Sequence, residues 1–566
     1  MTQTFLRILL TRFCYLLVLV VVILGPSELL ARGGLSANGN TGRLNASETD
    51  RFRTEVIRFV RGTAEAHLAG EDSSPAEDLN FSGKWYIDVS LYHQGELKGT
   101  GTGSGRRLTI ALREATLHAL GLNNGQLLSP QVLKETRFLV TFFYPPDQRF
   151  SIIEYEGNGR ELVGDLVPVR ILERRRVRKQ VDAAKHYLLR AMHPQWHGFY
   201  KQYDALRDDF DRRLRTVYSA SSLFTLLKIY DLDKDPEIEK NIRPITKFIL
   251  SMQEPAGENA GGFNYSYYLE RGEKEPRLVV GTASKTIFTL LELYRRFDDA
   301  QYINAARRAG DWLLRMQRPD GSVFAHATFK DQNWQYKKNF SFLYNSQVLS
   351  ALSRLYQVTR EQKYYDGANK LAQLFVRKIK EQGLYLGDEY RPRNSVSTSW
   401  ITMSLIDFAK IDSKRTYRRF IFQTADKLLQ RQSNEASDIY NFGKFYDNLT
   451  TSGNGWVNEV MVEVYKRCRE WKQRGCEKYK NSIILASRWL IQNTYSEENT
   501  YHLKNPGKTL GGPIRNYTEE AVRTDAACHG ANSLIGLLDI TEEGQLISVP
   551  ERPFEETINK IRIGKG

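Results

Sequence analysis

Apolar residues recur at helical spacing through most of the chain. Leu223, Leu226, Leu227 and Tyr230 share one face of a helix over Ser219 to Tyr230. After the polar turn Asp231 to Pro236, a second periodic run reaches Met252, where Pro255 and Gly257 stop it. The hairpin then repeats. Phe-Ile-Leu-Ser-Met-Gln-Glu-Pro-Ala-Gly from Phe248 returns as Trp-Leu-Leu-Arg-Met-Gln-Arg-Pro-Asp-Gly from Trp312, 64 positions later. Thr-Leu-Leu-Lys-Ile-Tyr ending at Tyr230 returns in the same register, ending at Tyr294. Two motifs in one register mark an internal repeat. Looser copies of the first helix follow at Asn345 to Tyr356, Val396 to Phe408, Trp456 to Tyr465 and Ala526 to Leu538. Copies of the second end near Met192, Met252, Met316, Phe375, Leu429 and Leu490.

That makes six of each, but the first second-type helix, Val177 to Met192, precedes any partner of its own. The last helix, Ala526 to Leu538, is left to pair with it, which closes a ring. The spacing predicts an all-α (α/α)6 toroid. An open solenoid is the competing arrangement, but the repeat length drifts, which favours the ring. The drift lies in the outer-to-inner connections Gln253 to Val280, Gln317 to Leu343, Gln432 to Gly453 and Asn493 to Arg523. Long connections without structure of their own are commonly functional, and a ring gathers them on one face.

Residues 52–170 have a different texture. Alternating strands Trp85 to Tyr92, Arg137 to Tyr144 and Phe150 to Tyr155 surround a helix near Thr109 to Leu120, an α+β layout. Gly99, Gly101, Gly103 and Gly105 lie between strand and helix, where they could cradle a phosphate or form a flexible hairpin. They lack a Walker lysine and dinucleotide-binding spacing. Gln94-Gly95-Glu96-Leu97-Lys98-Gly99-Thr100-Gly101, followed by a helix and by Phe-Leu-Val-Thr-Phe-Phe, resembles the AMMECR-type domain, with Thr100 at the family's cysteine. The expected organisation is therefore a leader over 1–32, a linker over 33–51, an α+β domain over 52–170, the toroid over 171–545 and a tail over 546–566.

The leader carries Arg7 and Arg12, an apolar run from Phe13 to Gly25, Pro26 and a small-residue exit near Ala31. This is signal-peptide patterning, and joined to the apolar residues Phe5 to Leu10 it would also serve as a retained membrane anchor. Either way the chain is expected outside the cytoplasm: periplasmic, extracellular or anchored facing outward. Of the cysteines beyond the leader, Cys468 and Cys476 are placed to close a small disulfide in an oxidising compartment. No metal-finger spacing exists, and no cofactor is indicated. The net charge of +15 favours anionic partners. For an exported chain these are acidic glycans or membrane surfaces rather than nucleic acid.

Candidate chemistry gathers on the long-loop face. Asp388-Glu389-Tyr390-Arg391-Pro392, followed by Ser397 and the helix Trp400 to Phe408, is similar to the Glu-Glu-Tyr-Pro segment of glucuronyl C5-epimerases, and Asn345 to Tyr356 to the helix before it. The resemblance implies proton exchange at a uronate C5 by Glu389 and Tyr390. Arg391 and Arg393 beside them suit a carboxylated sugar. Arg515, Arg523, Asp525 and His529 form a second polar cluster, in which Asp525 would either cap the last inner helix or orient His529 one turn later as a base. Tyr265, Trp334 and Tyr446, with other loop aromatics, suit stacking on sugar rings. The basic run Arg174 to Lys179 opens the first outer helix as a solvated or interdomain face. The leading expectation is an exported enzyme acting on an acidic polysaccharide as epimerase, lyase or hydrolase. A non-catalytic envelope protein binding a glycan or protein is the alternative. An open cavity lined by Glu389, Tyr390, Arg515 and His529 would favour the enzyme, and a filled centre the scaffold.

Overall fold

A computed structural model describes residues 46–71, 79, 81–93, 96–121, 129–134, 136–143, 160–164, 171–434, 441–445, 450–496, 500, 503–516, 519–543 and 547–548. The leader, the Phe150 to Tyr155 strand, Tyr446 and the tail beyond 548 lie outside the described residues. Two compact units are present, the second beginning at Asp165.

In the first unit, β1 (Ser82–His93), β2 (Glu96–Arg107), β3 (Thr136–Phe143) and β4 (Arg160–Gly164) form a sheet in the order β2-β1-β3-β4. Helices α1 (Ala46–Ala69) and α2 (Leu108–Gly121) pack together. The alternating glycines are neither a phosphate loop nor a hairpin turn, because all four lie inside β2. Their reason is proximity: a Cβ on Gly101 would stand 2.2 Å from the Ala119 nitrogen, and one on Gly103 2.1 Å from the Ala111 oxygen. Glycine lets α2 lie directly on the strand.

The second unit is a ring. Helices α3 (Arg174–Arg190), α5 (Pro236–Ser251), α7 (Ala300–Arg315), α9 (Gln362–Gln382), α11 (Arg415–Leu429) and α13 (Glu477–Gln492) lie outside. Inside them stand α4 (Thr216–Asp233), α6 (Val280–Phe297), α8 (Phe342–Thr359), α10 (Ser395–Ala409), α12 (Thr451–Glu470) and α14 (Thr524–Asp539). Each inner helix packs on the next, and α14 packs on both α4 and α3. The ring therefore closes, which excludes the open solenoid. Several helices exceed the expected bounds: α9 continues past Phe375, and α4, α8 and α12 extend at both ends beyond Ser219 to Tyr230, Asn345 to Tyr356 and Trp456 to Tyr465.

Local chemistry explains the hairpins. Asp235 accepts from the Glu237 and Ile238 amides with Pro236 at the first helical position, an N-terminal stop for α5. Lys234, Asp298 and Arg360 end three inner helices in the left-handed conformation, at φ 53°, 48° and 58°. The inner helices are buried nearly all round and rich in Ser and Thr. Ser219, Ser284, Thr286 and Thr402 satisfy their hydroxyls on the carbonyl four residues back.

The recurring glutamine is a staple between neighbouring units. Gln253 Nε2 donates to Gly261 O and, on the next outer helix, to Ala305 O at 2.9 Å. Gln317 repeats this with Gly321 and Gly367, and Gln432 with Gly443 and Ser482. The partner glycines Gly261, Gly321 and Gly443 all have positive φ and press against the following outer helix. Gly511 presses on α3 at Ala183 in the same way, carrying the device across the closure. Gly257, the sequence counterpart of Gly321, has open space around it, so the structural equivalent is Gly261.

The long connections do hold structure of their own. Arg213–Arg215 pairs with Ser266–Tyr268, Arg277–Val279 with His326–Lys330, and Gln202–Asp204 with Glu519–Arg523. Short antiparallel pairs thus join one loop to the next around the mouth. The run at the start of α3 is more than a solvated face. Arg174 Nη1 donates to Leu538 O (2.7 Å), Thr541 O (2.6 Å) and Thr541 Oγ1 (2.8 Å) at the end of the last inner helix.

Candidate functional site

The inner helices begin at the looped face, where strand ends deliver a cluster of cations and phenols. Arg215, the residue before α4, donates to Ser266 Oγ and Asp211, and its guanidinium lies 5.1 Å from the Tyr265 ring centre. Arg277 lies 5.4 Å from the same ring. Tyr265 is therefore half-buried between two guanidinium groups, an arrangement in which ring quadrupole and cations attract. Arg523 forks onto Asp525, Nε to Oδ1 at 2.9 Å and Nη2 to Oδ2 at 2.6 Å, and also donates to the Tyr218 hydroxyl at 2.8 Å. Burial works to raise the Asp525 carboxyl, but Arg523 outweighs it and keeps the group below the usual carboxylate range. Lys201 is held below the usual ammonium range by burial and then by Arg523, Arg215 and Arg515, against Asp211. His326, on the neighbouring strand, is pushed down to about 4 by burial, Arg277 and Lys337. The mouth therefore concentrates positive charge.

Glu389 and Tyr390 stand exposed at its rim. The Glu389 carboxylate accepts from Asn339 Nδ2 (2.6 Å) and the Phe340 amide (3.3 Å). Tyr390 meets Tyr344 edge-to-face, with centroids 6.3 Å apart, and burial and Glu389 raise its hydroxyl pKa. Asp388 fixes this loop by accepting from the Phe342, Tyr390 and Arg391 amides. Arg391 and Arg393 are exposed beside them, and Arg515 is half-buried near Lys201. Trp334 sits toward the tip of the hairpin 326–336, packed on Phe329.

Two expectations are corrected. Arg523, not Asp525, is the N-cap of α14; Asp525 falls in the first turn and is taken by Arg523. The carboxylate that orients His529 is Glu459 of α12, with Nδ1 to Oε2 at 2.9 Å, because the facing helix brings it closer than the residue one turn back. Burial favours protonation of Glu459, yet the His529 hydrogen bond and nearby Lys228, His529 and Lys285 hold it at about 2. His529 is itself kept below its ordinary value by burial and Lys285. An ionised carboxylate only accepts, so neutral His529 carries its proton on Nδ1.

The four residues named for one open cone are Glu389, Tyr390, Arg515 and His529. A cavity of about 810 Å³ does occupy the barrel, but of those four only His529 lines it, and it runs toward the opposite, C-terminal ends of the inner helices. Between mouth and cavity, Trp400 stacks on Trp456 at 3.8 Å, and Lys285 Nζ lies 5.0 and 5.3 Å from their ring centres. In ring order α6 stands across from α12, so the Lys285–Trp456 contact spans the axis. Glu459, Lys285, the tryptophan stack, Arg215 and Arg277 were not singled out from sequence; they converge from different repeats. An inward face rich in Ser and Thr that suddenly carries Lys285 or Glu459 was the available signal.

The glycosyl hydrolase family 88 model matches residues 279–455, from the start of α6 to the first turn of α12. No curated protein matches the chain. The cellobiose 2-epimerase of Bacillus thermoamylovorans B4167 superposes with a TM-score of 0.51 at 12% identity, over 65% of this chain and 99% of that one. A sugar epimerase from a ruminal bacterium gives 0.51 at 12%, over 66% and 100%. A family 76 glycoside hydrolase from a bovine Bacteroides thetaiotaomicron strain gives 0.49 at 13%, over 81% and 94%. The first two likenesses show an (α/α)6 toroid fold, and the family 88 match within it fits a carbohydrate-acting enzyme.

Proposed function

We propose that the chain is an exported enzyme that binds an acidic polysaccharide at the looped mouth and acts on it as an epimerase, lyase or hydrolase. The observation that carries this is the convergence of Lys201, Arg215, Arg515 and Arg523 on one another, beside Tyr265 held between Arg215 and Arg277. Cations crowded enough to depress a lysine favour an anion, and phenol rings among them suit a sugar. The family 88 match supports the carbohydrate class. The Cys468–Cys476 disulfide supports an oxidising compartment, as does the patterning of the leader.

In this reading Arg391, Arg393, Arg515 and Arg523 meet carboxylates, and Tyr265, Trp334 and Tyr446 contact rings. Glu389 and Tyr390 exchange a proton at the uronate C5, in line with the resemblance to glucuronyl C5-epimerases. Asp525 and His529 are the alternative acid–base residues. Residues 52–170 are assigned to an α+β domain of AMMECR-type resemblance. The second reading, a non-catalytic envelope protein that binds a glycan or protein partner, is favoured by the filled axis at Lys285 and Trp456.

Incubation with a panel of uronic-acid polymers, followed by NMR of the products and by binding titration, separates the two. Arg391→Ala should weaken binding roughly tenfold or more, the value of one charge-assisted contact. Glu389→Gln should abolish turnover while affinity barely changes. Binding without any turnover selects the second reading, and full activity in Glu389→Gln moves the chemistry to Asp525 and His529.

A further inference from the structure

The cavity beneath the tryptophan stack has a composition of its own. It extends from Lys285, Trp400, Trp456 and His529 to the last turns of the inner helices, a depth of about 15 Å for the ten residues between Lys285 and Arg295 at 1.5 Å each. Most of its ionic groups are matched. Arg354 pairs with Asp407 at 2.9 Å, Lys466 with Asp539 at 3.0 Å, Arg295 with Glu292 at 2.7 Å, and Lys228 with Glu459 at 3.9 Å.

Lys285 is the exception. Among the described residues no carboxylate lies within ion-pair range of its ammonium, which rests only against the faces of Trp400 and Trp456. Indole faces attract a cation but do not replace its hydration. Behind the wall, Asn532 Oδ1 and Trp456 Nε1 are buried and have no hydrogen-bond partner among the described residues. His529, engaged through Nδ1, makes no hydrogen bond through Nε2 among the described residues. One cation and one acceptor, Lys285 Nζ and His529 Nε2, thus open onto a polar chamber roomy enough for a monosaccharide.

We propose that this chamber is a second binding site, distinct from the mouth, for a small hydroxylated carboxylate such as a monomeric sugar acid. Its carboxylate pairs with Lys285, and one of its hydroxyls donates to His529 Nε2. Burial holds the Lys285 ammonium below its ordinary range, and a bound carboxylate would reverse that. The proposal does not depend on what the mouth binds.

The test is calorimetric titration of the purified protein with D-glucuronate, and with D-glucose as the neutral match. Glucuronate should bind at one site per chain, with glucose roughly tenfold weaker or more, the worth of one charge-assisted contact. Lys285→Met keeps the length of the side chain without the charge and should lose the glucuronate preference by a similar factor, while melting no lower than the wild type. Arg391→Ala, at the mouth, should leave glucuronate binding in the chamber intact while reducing polymer binding, which separates failure of this proposal from failure of the mouth reading. Absence of glucuronate binding, equal affinity for glucose, or undiminished binding in Lys285→Met overturns it.

Discussion

His529 of α14 donates its Nδ1 proton to Glu459 of α12 across 2.9 Å, joining two adjacent inner helices. Glu459 is held at about 2 in the fold, against an ordinary 4.5. A depressed carboxyl contributes stability that is present above its unfolded value and is lost as pH falls from about 4.5 towards 2, here on the order of 3 kcal/mol. His529, kept below 6.5, acts in the same direction: its neutral form is favoured by the fold, so stability falls as pH drops below 6.5. Melting temperature should therefore decline on acidification in two stages. Glu459→Gln, which still accepts from Nδ1, should remove most of the lower stage. A wild-type-like acid limb in that variant would show that the pair does not control it.

Ring closure leans on Arg174, whose single guanidinium satisfies two carbonyls and a hydroxyl at the end of α14. Arg174→Ala leaves those buried acceptors short of a charged donor, a loss of about 1.5–3 kcal/mol. The expected readout is a melting temperature lower by several degrees. Deletion from Asp525 onward should destabilise the whole second unit. If either protein melts like the intact chain, closure contributes nothing to stability.

Gly101→Ala would ordinarily favour a strand by limiting the unfolded chain. Here the new methyl would sit 2.2 Å from the Ala119 nitrogen and 2.3 Å from the Ala115 oxygen, both backbone atoms. Limited proteolysis should cut within residues 46–164 faster than in wild type. Gly70→Ala, although strained by a φ of 73°, has open space around it and should have the smaller effect. Equal protection of Gly101→Ala and wild type would mean that α2 can lift from the strand at no cost.

The ring was legible because the same joint is made several times. Gln253, Gln317 and Gln432 each bond a loop glycine and the next outer helix, so one physical requirement recurs in three of the six copies. The paired inner and outer helices followed from amphipathic spacing. The interior was not legible, because its contacts are made between repeats. Asp525 and His529 sit at helical spacing and invited pairing, yet Arg523 claims the first and Glu459 the second. Lys285 meets Trp456 from the opposite side of the barrel, a juxtaposition no local pattern records. The loop residues Glu389 and Tyr390 stood out by resemblance, whereas Arg215 and Arg277 look in sequence like ordinary basic residues before a helix.

The bridge of Lys285 to the tryptophan stack also has a topological meaning. With Lys285 and Trp456 meeting across its axis, the barrel is narrowed between the looped mouth and the cavity beneath. A long chain molecule entering from the looped side meets these side chains in its path, which works against threading through the ring. What suits such a constriction is the terminus of a polymer, or a segment laid across the rim.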